Sequence, residues 1–167
     1  GGMAAAYEGV ILGGADKLFG LDELNVWLRR HRYADYNMEV LLPIAHMCLE
    51  YAVRLHIRAE RPGIQTMARQ AARQLLEGDP LRLRATARNW MYICWMVRQF
   101  PQAADHDSQL ILQNLKGFED VVERFVSMTE ESAQCQTAQA LVERAVLLYK
   151  KIFTRYFAPD HDQDPVP

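Results

Sequence analysis

The sequence predicts an all-α fold, a single irregular helical bundle of six or seven helices. Three features predict it. Apolar residues recur at three- and four-residue spacings along almost the whole chain. No stretch reads convincingly as a strand, and specific start and stop residues separate the periodic segments.

A first helix is expected over 4–12, stopped by Gly13 and Gly14. In the second, Asp22 can cap the free amides of the first turn, Leu21, Leu24, Trp27 and Leu28 share one face, and Arg29 to Arg32 close the last turn. The third is the clearest. Leu41, Ile44, Ala45, Cys48, Tyr51, Ala52 and Leu55 form its apolar stripe, Pro43 falls near its start, where a missing amide donor costs least, and Pro62-Gly63 ends it. The opposite face reads His46, Glu50, Arg54, Arg58, the pattern of a solvated ion-pair row. A fourth helix turns Ile64, Met67, Ala68, Ala71 and Leu75 inward and Arg69 and Arg73 outward before Gly78 closes it.

Asp79-Pro80 is a cap followed by proline at the first helical position, a start signal for a fifth helix with Leu83, Ala87, Trp90, Cys94 and Val97 as its core stripe. Beyond Asn89 it is apolar all round, as a central helix would be, and Phe100-Pro101 terminates it. Residues 108–131 form one helix with a soft point at Gly117, or two short ones. The last helix spans about 137–157, with Leu141, Val142, Ala145, Leu148, Tyr149, Ile152, Phe153 and Tyr156 along one side. Acidic residues near its start and Lys150, Lys151 and Arg155 near its end suit the helix dipole. The bundle domain is expected over 1–158, and 159–167, with Asp160, Asp162 and Asp164, as a disordered acidic tail. No repeat that would indicate a solenoid recurs.

Half of the 167 residues are apolar and 24% are charged, which places the chain among globular domains able to bury one core and away from disordered chains. Three cysteines do not make a disulfide framework. Cys48 and Cys94 fall on apolar faces, and Cys135, among Ser132, Gln134 and Gln136, is the one expected to see solvent. No secretory h-region is present, and the apolar run over 90–97 is far shorter than the ~20 residues that span a bilayer, so a cytoplasmic location with no membrane contact is expected.

No chemical signature stands out. The helical di-iron pattern of Glu followed three residues later by His does not occur, and His46 and Glu50 are only two ligands on a row continuing into Arg54 and Arg58. His106 and His161 sit between aspartates in connecting segments, and no C-x-x-C occurs. There is no G-x-S-x-G, and Gly13-Gly14 precedes no G-K-[ST]. Neither metal, cofactor nor catalytic residues are therefore expected, and the chain is read as not an enzyme.

Charge is the asymmetric feature. Between Leu28 and Phe100 there are twelve arginines and no lysine against six acids, a net of +6, whereas residues 101–167 carry a net of −5. Guanidinium groups bind carboxylate or phosphate bidentately. Arg29, Arg30, Arg32, Arg54, Arg58, Arg61, Arg69, Arg73, Arg82, Arg84 and Arg88 are thus the candidate partner-binding residues, provided that they converge on one face. Pairing within the chain would absorb the same charge. The expected function is a non-enzymatic helical protein-protein interaction module, an adaptor or assembly subunit, that uses this arginine-rich face or an exposed apolar groove to hold a protein partner, with homo-oligomerisation open. The alternative is a helical nucleic-acid-binding subunit that contacts the phosphate backbone without reading sequence, against which the acidic C-terminal half and a pI near 6.2 count. A third possibility is a small-molecule pocket inside the bundle.

Overall fold

The computed structural model describes residues 2–32, 36–76, 95–96, 98–100 and 119–153. Among these residues are six α-helices and no strand: α1 (Gly2–Phe19), α2 (Leu21–Arg32), α3 (Met38–Ile57), α4 (Ile64–Leu76), α5 (Glu119–Glu130) and α6 (Ala138–Leu148). A 3-10 turn, Glu131–Gln134, joins α5 to α6, and a π turn, Tyr149–Phe153, extends α6. The all-α bundle is as the sequence predicts. The body of the expected fifth helix, the segment around Gly117 and the tail over 159–167 lie outside the described residues.

Helix α1 does not stop at Gly13-Gly14. Tyr7, Ile11, Ala15 and Phe19 recur every fourth residue and are all buried, so the apolar stripe carries the helix straight through the glycines. Gly14 is where α1 comes closest to α3: a Cβ added there would lie 2.5 Å from Cγ1 of Val53 and 3.5 Å from Cγ2 of Ile57. The helix ends at Gly20, whose φ of +80° suits a residue without a Cβ. Its amide donates to the carbonyls of Ala15 and Asp16, at 3.2 and 2.9 Å. The Asp16 carboxylate accepts from the amide of Leu21 at 3.0 Å, so Asp16 satisfies the start of α2 where Asp22 was expected to.

Helix α3 is the central element. Val40, Leu41, Ile44, Ala45, Met47, Cys48, Leu49, Ala52 and Val53 are buried, Leu42 and His46 stay partly open to solvent, and Pro43 lies inside the helix in its second turn. Its span Val40–Ile57 is long and apolar enough to cross a membrane, and 61% of that span is buried against its neighbours. Around it, α1 packs on α3 and on α4, and α6 packs on α3 and α2. The 3-10 turn closes the far side of α3, so Cys135 beside it is buried, not exposed as its polar neighbours suggested. Helix α6 has the expected start and apolar stripe, but its α-helical hydrogen bonding gives way to the π turn after Leu148. The Thr137 hydroxyl accepts from the amide of Ala140 at 3.1 Å as the cap, and Leu141, Val142, Ala145, Leu148 and Tyr149 are buried.

Candidate functional site

The charged face expected on α3 is largely interior. Arg54 is 2% exposed and so is Glu50, which removes Arg54 from any surface set. Neighbouring helices supply partners that the helical wheel of α3 alone does not reveal. The Tyr7 hydroxyl of α1 donates to Glu50 Oε1 at 2.7 Å and accepts from Arg54 Nη1 at 3.0 Å. Arg54 Nη1 also lies 3.4 Å from Glu50 Oε1, its Nη2 donates to Gln99 Oε1, and its guanidinium lies over the Phe100 ring. Burial pushes the Glu50 carboxyl above the usual carboxylate range, opposed by Arg54 and by the Tyr7 hydrogen bond. Burial beside Glu50 likewise raises the Tyr7 phenol. A paired, enclosed cluster of this kind clamps α1, α3 and residues 99–100 together.

The other arginines are distributed over three places. Arg29 and Arg30 are exposed at the end of α2, Arg58 and Arg61 are exposed at and beyond the end of α3, and Arg69 and Arg73 are exposed on α4. Helix α2 packs against α1 and α6, whereas α4 packs against α1 and α3. The Arg32 side chain and Arg82, Arg84 and Arg88 lie outside the described residues. Among the described residues no group of three or more histidine, cysteine or acidic side chains is placed to hold a metal ion.

The sequence allowed for an exposed apolar groove without naming its residues; the structure has an open apolar groove walled by α1, α2, α3 and α6, with a volume of about 480 Å³. Its size falls in the range of binding clefts, about 300–1,000 Å³. Leu24, Leu49, Leu141 and Val142 form buried walls, while Leu12 and Leu42 at its border are 40% and 44% exposed. Of the exposed large apolar side chains among the described residues, only Leu18 lies elsewhere. The available signal was that Leu42 and Leu49 fall beside the core stripe of α3, giving that helix a second apolar edge.

The polar groups in the groove are Asn25 and His46. His46 Nε2 lies 3.4 Å from Glu8 Oε1, and both side chains are partly exposed. That hydrogen bond raises the imidazole above its ordinary pKa and lowers the Glu8 carboxyl. The groove continues into a second depression that shares Asn25, Leu28 and Leu42 and adds Asp22, Arg29 and Met38. On the opposite side of α3, Cys48 is fully buried and its thiol is pushed up to about 12 by burial, which makes it a core residue and not a nucleophile. No protein-family model, curated protein or solved structure matches the chain.

Proposed function

We propose that the chain is a non-enzymatic helical interaction module, an adaptor or assembly subunit, and that its apolar groove seats one amphipathic helix of a different protein. The observation that carries this reading is the pair of leucines, Leu12 and Leu42, standing 40% and 44% exposed on a single cleft. Exposed apolar side chains gathered on one concave surface cost solvation unless something covers them. Helix-walled grooves take the i, i+3/i+4, i+7 anchors of a partner helix. Charge favours a polypeptide over an acyl chain: Glu8 beside His46 near one part of the groove, and Asp22 with Arg29 in its continuation, offer both signs to polar flanks of a helix. A second copy of this chain fits less well, because among the described residues two of the three exposed large apolar side chains belong to the groove itself. The same proposal keeps the protein in the cytoplasm, in line with its uneven cysteine count.

The test is selection of amphipathic helical peptides on the folded protein, followed by titration against Leu42→Glu and Leu12→Glu. Both positions are open to solvent, so the variants keep their fold, and each should weaken the selected peptides by tenfold or more, about 1.4 kcal/mol. Peptides that bind the variants as well as the parent would place the partner surface elsewhere, and a dimer abolished by Leu42→Glu would make a second copy the occupant.

A further inference from the structure

Away from the apolar walls of the groove, cations and aromatic rings interleave where the end of α2 meets the end of α6. The Arg30 guanidinium carbon stands 4.1 Å from the centroid of the Trp27 ring. His31, whose Nδ1 donates to the Trp27 carbonyl at 2.9 Å, meets the Tyr36 ring edge-on at 5.5 Å. Tyr36 in turn meets Tyr149 edge-on at 5.3 Å, and Lys150 Nζ lies 5.8 Å from the Tyr36 centroid. The amide of Asn37 donates to the Tyr149 hydroxyl at 2.9 Å, which pins this segment to the π turn. A continuous row results, built from residues more than a hundred positions apart in sequence.

Exposure and charge along the row point outward. Trp27, His31 and Tyr36 are half-buried, while Arg29, Arg30, Lys150 and Lys151 are exposed. Among the described residues no carboxylate forms a salt bridge with Arg29, Arg30 or Lys151. The acids of α2, Asp22 and Glu23, belong to its first turn, at the far end from Arg30. On α6, Glu143 is engaged by Gln139 about two turns before Lys150.

We infer that this row is a binding site for single-stranded nucleic acid, with phosphates on Arg29, Arg30, Lys150 and Lys151 and bases against the exposed parts of Trp27 and Tyr36. Alternating cations and partly open rings are what a strand with unstacked bases uses, since every base has a π-face and every linkage a charge. An acidic peptide would use the cations and leave the rings idle. A duplex hides its base faces, so it gains only the charge. The row borders the groove's continuation, with Arg29 common to both, while Trp27, Arg30, Tyr36, Lys150 and Lys151 lie outside the groove lining.

The experiment is fluorescence anisotropy with labelled oligo-dT and oligo-U of about 20 nucleotides, longer than the strand length one such module covers. Binding of either should weaken about 20- to 50-fold between 50 and 200 mM salt, the loss that three or four phosphate contacts on a single strand produce. The comparison of the two oligonucleotides tells whether DNA or RNA is preferred, and either preference supports the site. Arg30→Glu with Lys151→Glu, both solvent-exposed, should cost at least tenfold and flatten the salt dependence. Trp27→Leu keeps an apolar side chain and should cost about tenfold with the salt dependence unchanged, and Tyr36→Leu serves the same purpose if Trp27→Leu does not fold. Absence of binding at low salt, a salt-independent affinity, variants that bind like the parent, tighter binding of a duplex, or displacement by polyglutamate at equal charge would each overturn the assignment.

Discussion

Replacing Gly14 by alanine separates a helix that runs through its glycines from one that ends there. In a helix interior, Gly→Ala ordinarily stabilises by about 1 kcal/mol. At Gly13 a Cβ meets nothing within 4 Å, so that full gain should appear. At Gly14 the Cβ would lie 2.5 Å from Val53 Cγ1, where ordinary contact begins at 3.4 Å. Val53 is fully buried and, being β-branched, has one preferred rotamer in a helix, so relief requires α1 and α3 to move apart. Overpacking of that kind costs about 1–3 kcal/mol, which cancels or exceeds the helical gain. Gly13→Ala should therefore raise the Tm by roughly 2–4 °C, while Gly14→Ala leaves it level or lowers it. Urea denaturation of both variants, and of Gly14→Ala combined with Val53→Ala, measures the difference. The double variant should recover part of the loss, because the two side chains share one contact. If Gly13→Ala destabilises, or if Gly14→Ala stabilises as much as Gly13→Ala does, then α1 does not continue across the glycines against α3.

Other regions make equally definite predictions. Arg54→Leu strands the buried Glu50 carboxylate and should cost about 3–5 kcal/mol by denaturant unfolding, whereas Glu50→Leu with Arg54→Leu should cost clearly less because no lone charge remains. By NMR titration His46 should titrate above 6.5 and return toward that value in Glu8→Gln, since its hydrogen bond to Glu8 favours the protonated ring. The sign follows: the His46 contribution to stability is present below its unfolded pKa and fades as pH rises through its higher folded pKa, while that of Glu8 fades as pH falls through its lowered one. Cys48, with its thiol pushed up to about 12 and no exposure, should be modified by thiol reagents near neutral pH only as fast as the protein unfolds, as read by mass spectrometry of its peptide.

Legibility differed between elements for physical reasons. Helix α6 was readable because its start, its stripe and its burial follow from local spacing, and Leu141, Val142 and Ala145 occupy the expected roles. Helix α1 was cut short because a Gly-Gly pair looks the same whether it ends a helix or admits a neighbour, and only the approach of Val53 decides. The real terminator, Gly20, announced itself only through a positive φ. On α3 the polar row has the spacing of a solvated face, yet Tyr7 and Gln99 reach Glu50 and Arg54 from more than forty residues away. The cation and aromatic row was invisible for the same reason, since Tyr36 and Tyr149 meet only in the folded chain. The groove left a trace in the surplus leucines of α3, Leu42 and Leu49, which a single stripe does not need.

The central claim is that the surface between α1, α2, α3 and α6 is where a partner docks. Methyl NMR of the protein titrated with a selected amphipathic helix tests it most directly. Shifts concentrated at Leu12, Leu28, Leu42 and Val142, with Ile64 and Val126 unmoved, are the expected outcome. Undisturbed groove methyls under saturating peptide would contradict it.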